Sequence, residues 1–133
     1  MKTEIIVVTG AYGTDTVKQY GGQRALLPII AGAGADGVEI RRELFAAGEL
    51  DSLPALAQEI DRQQLFAVYS APEALFTPQH TLNPNLAALL AEAQALNARQ
   101  LKLSLGHFRP GFDFTELKVA LEQHPVKLVV END

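Results

Sequence analysis

Five short apolar runs, rich in β-branched residues, recur along the sequence with helix-like segments between them. Their starts lie about 30 residues apart, which is the length of a βαβ unit with a right-handed crossover. The repeated order predicts one domain over residues 1–133, in which the strands of a parallel sheet alternate with helices. The predicted strands are Ile5–Thr9, Val38–Arg41, Leu65–Tyr69, Leu101–Leu105 and Val126–Glu131.

Four of the intervening segments carry apolar residues at helical spacing. Pro28 lies inside the first of them and is expected to kink that helix or to delay its start. Asn83 followed by Pro84 is a helix-start signal. Asp113 and Glu116 have the spacing of a capping box, so this carboxylate pair is interpreted as a helix cap rather than as an acid/base couple. The predicted helices are Gln23–Ala33, Leu53–Gln64, Pro84–Ala98 and Phe114–Gln123.

Two glycine-rich stretches raise the question of a phosphate-binding loop. Gly32–Gly37, "GAGADG", matches G-x-G-x-x-G, but it follows a predicted helix and precedes a strand, whereas a dinucleotide loop needs the reverse order. It is therefore interpreted as a helix end and a tight turn. Thr9–Gly22 does follow a strand, yet it lacks the Lys-Ser/Thr pair of a P-loop. Both a plain surface loop and an active-site loop remain open for it.

Composition excludes several classes of protein. The chain has no cysteine, so it has neither a disulfide framework nor a thiolate metal site, which agrees with a cytoplasmic location. The sequence contains no apolar run of the ~18 residues that a membrane span needs, and the N-terminus shows no signal-peptide cleavage site. A net charge of -5 without a basic stripe argues against nucleic-acid binding.

The polar residues of the predicted strands fall on one side. Alternate residues of a strand face opposite sides of the sheet, so each of strands two, four and five has one purely apolar face. The opposite faces carry Glu39, Arg41 and Glu43 on strand two, Lys102, Ser104 and Gly106 on strand four, and Lys127, Val129 and Glu131 on strand five. Central strands of a doubly wound sheet should be apolar on both sides. The pattern therefore predicts helices on one face and a polar cavity on the other.

These features define the predicted fold class as α/β, a parallel βα repeat forming a (βα)4β5 partial TIM barrel. A complete barrel has eight strands and about 250 residues, so the sequence corresponds to its first half and one further strand. A flavodoxin-like open sheet is the alternative. In that case the charges of 39–43 would be those of a solvated edge strand, although this leaves the placement of Glu131 unexplained.

Three stretches carry a resemblance to a known family. "GADGVEIRREL", "LKLSLGHF" and "VKLVVEND" resemble the xylose isomerase-like TIM barrels of the sugar phosphate isomerase/epimerase superfamily. The resemblance extends over essentially the whole chain and implies its N-terminal half-barrel. It implies a divalent metal, Mn²⁺ or Mg²⁺, held by a Glu at the end of strand five and by three ligands from later strands. Glu131 matches that first ligand and, in the epimerase branch, also an acid/base that forms an enediolate from a keto sugar.

The three later ligands would lie beyond residue 133. We therefore expect this chain to be part of a metal-dependent sugar or sugar-phosphate isomerase/epimerase, and to be incomplete and inactive alone. Whether this half binds a metal by itself is left open by the sequence. An open half-barrel exposes strand edges, so a homo-oligomer formed through these edges is also expected.

Further residues are candidates for substrate binding. Arg41 and Glu43 could contact sugar hydroxyls or phosphate, or could form an ion pair with each other. Tyr69 could stack on a sugar or simply pack, and His107 could bind substrate at the end of strand four. Lys102 and Ser104 are interpreted as barrel packing, with Lys102 paired to Glu39 or Glu131. His80 and His124 receive no role.

Two other function classes compete with the isomerase. Endonuclease IV-like DNA repair is disfavoured by the acidic charge and by the lack of a cluster of metal-binding histidines. The second competing class is a non-catalytic half-barrel or a flavodoxin-like α/β module. A receiver domain is rejected, because "VVTGAYG" and "VYSAPEA" lack the required Asp at the ends of strands one and three.

Overall fold

The computed structural model describes residues 3–131. Five strands alternate with helices, as the sequence predicts. The strands are β1 (Ile6–Val8), β2 (Gly37–Arg41), β3 (Phe66–Phe76), β4 (Ala98–Gly106) and β5 (Lys127–Glu131). The helices are α1 (Thr14–Gln19), α2 (Leu27–Gly32), α3 (Leu53–Arg62), α4 (Leu86–Ala95) and α5 (Thr115–Glu122).

All neighbouring strands are parallel, and their order in the sheet is β1-β2-β3-β4-β5. A flavodoxin-like sheet has the order 2-1-3-4-5, and the reversal places its helices on both faces. In a sequential order every right-handed crossover puts its helix on the same side. The observed order is that of a barrel wall, and it favours the partial barrel over the flavodoxin-like alternative.

The hydrophobic core lies between the helices and the outer face of the sheet. Val38, Ile40 and Leu101 are fully buried on that face. Helix α3 presents Leu56 and Ile60 to the core at a spacing of one helical turn. The helices therefore cover one face only, as the alternation of polar and apolar residues predicts.

Helix α3 begins at Leu53 as predicted, whereas α2, α4 and α5 begin later than predicted. Pro28 stands in the first turn of α2, after a short 3₁₀ turn, so it delays the helix as expected. Helix α4 begins at Leu86 rather than at Pro84, because Asn83 Oδ1 accepts the amide of Asn85 (2.8 Å) and forms a turn before the helix. Asp113 Oδ1 accepts the amide of Thr115, the first residue of α5, at 2.9 Å. The predicted capping box of Asp113 and Glu116 is wrong, because the N-cap residue is Phe114 and makes no side-chain cap hydrogen bond.

The predicted GAGADG turn is confirmed. Gly34, which follows α2, has φ of +90°, a conformation that glycine adopts without strain. Gly37 opens β2, and a side chain there would collide with the ring of Phe66 at 2.6 Å. These glycines are required by chain geometry and by packing.

The segment 10–22 is more ordered than the predicted fourteen-residue loop. It contains helix α1 and most of a 3₁₀ turn that begins one residue earlier (Thr9–Tyr12), and Val17 of α1 is buried in the core. No helix within residues 3–131 is long and apolar enough to cross a membrane.

Strands β3 and β4 extend beyond the predicted bounds through two bulges. One extra residue of β4, Arg99, interrupts the pairing with β3, and its guanidinium lies 3.8 Å above the Phe66 ring. Further along, β3 has two extra residues between the pairs Ser70–Lys102 and Ala74–Ser104. Pro72 stands in this second bulge, where a strand tolerates a missing N–H group.

Candidate functional site

A cluster of five charged residues lies at the carboxyl ends of the strands, four of them on the inner face of the sheet. The fifth, Glu43, was predicted on that face of strand two but lies in the 3₁₀ turn Arg42–Leu44 after β2. We call this group the charged cluster, and it consists of Glu39, Arg41, Glu43, Lys102 and Glu131. Lys102 Nζ lies 2.7 Å from Glu39 Oε1 and 2.9 Å from Glu131 Oε1. Arg41 lies 3.2 Å from Glu43 and 3.6 Å from Glu39. The predicted pairing of Lys102 with Glu39 or Glu131 is thus found with both carboxylates.

The register of the sheet explains why these side chains meet. Glu39 lies on β2 and Lys102 on β4, so strand β3 separates them. Ser70 of β3 is the strand partner of both Arg41 and Lys102. Because its side chain is small, the longer side chains on either side close over it. Ser104 and Glu131 are strand partners, which brings Glu131 to the same end of the face.

Burial differs sharply across the cluster. The side chain of Glu39 is 6% exposed, that of Lys102 24% and that of Glu131 61%. Hydrogen bonding to Glu39 raises the pKa of Lys102, and Glu131 adds to this effect. A hydrogen bond to Glu43 likewise raises the pKa of Arg41. Both cations of the cluster therefore keep their charge at neutral pH. Glu39 is the buried centre of the cluster, and Glu131 is its solvent-facing end.

Gln23 fixes the backbone at Arg41. Strand β1 ends at Val8, so it does not pair with the last residue of β2. The buried amide of Gln23 takes that place: its Oε1 accepts the Arg41 N–H, and its Nε2 donates to the Arg41 carbonyl, both at 2.8 Å. Thr9 donates to the same Oε1 at 2.6 Å. No sequence pattern indicated Gln23, because the contact depends on the chain folding back over 18 residues.

Two clefts adjoin the charged cluster. The first has a volume of about 290 Å³, at the small end of ligand cavities (~300–1,000 Å³). It is lined by Arg41, Ser70, Ala71, Pro72, Glu73, Lys102, Leu103, Ser104 and Glu131. The second has a volume of about 420 Å³ and lies between the 10–22 segment and β2. Gly10 and Thr14 line it together with Arg41 and Glu43, so this segment borders the candidate site.

Tyr69 lies on the other face of the sheet. Its side chain is fully buried, its ring packs near Phe45, and its hydroxyl donates to Glu92 Oε1 of α4 at 2.7 Å. Arg42 binds the same carboxylate through two contacts of 2.8 and 3.2 Å. Burial would raise the pKa of Glu92, but the hydrogen bonds from Arg42 and Tyr69 outweigh it, so that pKa lies below its ordinary value. The structure therefore gives Tyr69 a packing environment and does not bring it to the cleft.

The contacts of His107 are also with residues outside the charged cluster. It is exposed in the loop after β4, and its carbonyl oxygen is 2.9 Å from Nδ1 of His80. The two imidazole rings are edge to face with centroids 6.4 Å apart. His124 is at the end of α5, with Nδ1 2.8 Å from Gln94 Oε1. Of the predicted site residues, the structure brings together Arg41, Glu43 and Glu131.

The described residues do not make a metal site on their own. Within residues 3–131, no group of three or more His, Cys, Asp or Glu side chains is arranged to hold a metal ion. Glu131 is the expected ligand, and Lys102 already neutralises it at 2.9 Å. A single carboxylate paired with an ammonium group does not supply the oxygen ligands that Mn²⁺ or Mg²⁺ requires.

A sequential parallel sheet with helices on one face and charged residues on the other is the wall of a partial (βα) barrel. No known family profile and no curated protein matches the sequence. The fold matches the crystal structure of a xylose isomerase domain containing protein from Salmonella typhimurium LT2, with a TM-score of 0.63 and 16% sequence identity. The match covers 98% of this chain and 49% of that chain. It confirms the xylose isomerase-like fold, and the chain spans about half the length of that neighbour.

Proposed function

We propose that the chain forms the N-terminal half of a barrel that isomerises or epimerises sugars or sugar phosphates through an enediolate. The charged cluster is the observation that carries this proposal. It lies where barrel enzymes place their active sites, at the carboxyl ends of the strands. Support for the fold comes from the xylose isomerase-like neighbour, and the reaction itself is our inference.

In this proposal Glu131 is the acid/base. Its carboxylate is 61% exposed at the mouth of the cleft, and Lys102 holds it at 2.9 Å. An ionised carboxylate that reaches the carbon next to a sugar carbonyl can remove its proton and return it on another face or carbon. Arg41, oriented by Glu43, and the hydroxyl groups of Ser70 and Ser104 would bind the sugar hydroxyls.

The proposal assigns one metal ligand, Glu131, to this half. The remaining ligands of a divalent ion would come from outside residues 3–131. We also propose that the open strand edges pair with a second copy of the chain. Ile6 on β1 and Val130 on β5 are 43% and 38% exposed, so each edge strand presents apolar surface.

A ¹H–¹⁵N NMR titration of the chain tests the proposal, with D-fructose, D-fructose 6-phosphate, flavin mononucleotide and an abasic DNA duplex as separate probes. We expect either sugar to shift amide signals around Ser70, Lys102 and Ser104. The proposal is wrong if neither sugar shifts them. Shifts with the flavin alone would favour the flavodoxin-like module, and shifts with the duplex alone would favour DNA repair.

The role of Glu131 needs a second measurement, made in D₂O. If hydrogen bound to the sugar carbons exchanges in the wild type and not in Glu131→Gln, the residue transfers the proton. If the sugar binds both forms equally and neither exchanges hydrogen, this half alone is inactive, as the sequence predicts, and Glu131 transfers no proton without the rest of the barrel.

A further inference from the structure

The two cations that line the 290 Å³ cleft already have partners. Lys102 lies between two carboxylates, at 2.7 Å from Glu39 and 2.9 Å from Glu131. Arg41 makes a two-pronged contact with Glu43, at 3.2 and 3.3 Å, and a third contact with Glu39 at 3.6 Å. From this arrangement we infer that the cleft takes an uncharged, polyhydroxylated sugar rather than a phosphorylated one. The inference rests on the proposed function and specifies its substrate class.

The net charge of the cluster opposes a phosphate group. Three carboxylates and two cations leave one negative charge in excess. A phosphate that enters would therefore meet repulsion from the cluster as a whole.

A phosphate group could bind Lys102 or Arg41 only if that cation left the Glu39 carboxylate, and this separation is costly. Glu39 is 4% exposed, so its carboxylate cannot turn to water when Lys102 or Arg41 leaves it. A buried carboxylate that loses its cation is strongly unfavourable. Glu43 and Glu131 are more exposed and can move, but their release alone leaves Lys102 and Arg41 still bound to Glu39.

The same groups suit the hydroxyl groups of a neutral sugar. An ionised carboxylate accepts hydrogen bonds at both of its oxygens, and a guanidinium group has five N–H donors. Glu131 is the most exposed of these carboxylates, and Ser70 and Ser104 add hydroxyl groups that both donate and accept. A sugar hydroxyl can join this network without breaking an ion pair, because it brings no charge of its own.

The test compares D-fructose with D-fructose 6-phosphate by NMR titration at low and high salt. We expect the phosphate ester to bind about five- to tenfold more weakly at low salt, and this gap to narrow as salt screens the repulsion. Glu43→Gln removes one negative charge and one of the two carboxylate partners of Arg41, so it should strengthen phosphate binding selectively. Glu122→Gln makes the same change of charge at an exposed position of α5 and should leave the ratio unchanged.

The outcomes separate the two ideas. Tighter binding of the phosphate ester than of the neutral sugar, weakened by added salt, would overturn this inference and leave the proposed function standing. Binding of neither sugar would overturn the proposed function itself. A phosphate affinity that rises equally in both glutamine variants would show that general charge, rather than the cleft, governs selectivity, and would also overturn the inference.

Discussion

Replacing Lys102 by methionine should destabilise the protein by about 2–3 kcal/mol. The substitution keeps the apolar stem and removes the ammonium group, which lies 2.7 Å from Glu39 Oε1. Glu39 then retains Arg41 at 3.6 Å as its remaining ion-pair partner, with its side chain 6% exposed. A hydrogen bond to a charged group contributes about 1.5–3 kcal/mol, and breaking a fully buried ion pair costs about 3–5 kcal/mol. Because Lys102 is partly exposed and Arg41 remains, the expected loss lies in the upper part of the first range.

Urea unfolding, followed by circular dichroism, measures this loss. Glu131→Gln is the matched control, because it removes the other carboxylate partner of Lys102. At 61% exposure its loss should cost only about 0–0.5 kcal/mol. The double variant Lys102→Met/Glu39→Gln should recover part of the stability, since it no longer buries an under-compensated carboxylate. If Lys102→Met costs no more than Glu131→Gln, Glu39 is not the buried centre of the cluster.

Four further predictions concern other parts of the fold. Tyr69→Phe should cost about 1–2 kcal/mol in urea unfolding, because it removes the hydrogen bond to Glu92 and keeps the ring; no change would contradict that bond. The pKa of Glu92 is lower in the folded state than its unfolded value of about 4.3, so the ionised carboxylate stabilises the fold above that pH. The free energies of unfolding of wild type and Glu92→Gln, measured against pH, should therefore converge as pH falls through the lowered pKa. Gly106→Ala should cost about 2 kcal/mol or more, because φ is +71° and a Cβ would lie 2.5 Å from backbone; Gly32→Ala, with open space around it, should not destabilise. Light scattering should show a dimer that Val130→Lys weakens; a monomeric wild type would refute edge pairing.

The alternation of residue types was enough to predict the architecture. Val38 and Ile40 on one side of β2, and Glu39 and Arg41 on the other, reveal that only one face is covered by helices. This works because the two faces of a strand follow directly from residue order. It also placed Lys102 correctly as a partner of the acidic residues, since strands β2, β4 and β5 share one polar face.

The same logic failed where neighbouring residues are both apolar. Val68 and Tyr69 are both suited to burial, so the sequence did not show which one faces the helices. Tyr69 faces α4, where its hydroxyl donates a hydrogen bond to Glu92 Oε1. These two residues are 23 positions apart in the chain. Gln23 and the bulges of β3 were missed for a similar reason: each depends on tertiary contacts that leave no periodic signal.

The meeting of Thr9 and Gln23 has a consequence for how this protein can vary. Thr9 Oγ1 donates a hydrogen bond to Gln23 Oε1 at 2.6 Å, so the two ends of the 10–22 segment lie close together at the sheet. Insertions or deletions inside a segment whose two ends are held together need not move β2. Doubling the length of a loop costs only about 0.6 kcal/mol of closure entropy. Val17, which is 1% exposed, is the residue that a redesign would have to keep in place. Gly10, Ala11 and Thr14 of this segment line the second cleft together with Arg41 and Glu43. Variants with a longer or shorter segment between residues 10 and 22 could therefore change the shape of this cleft without changing the charged cluster.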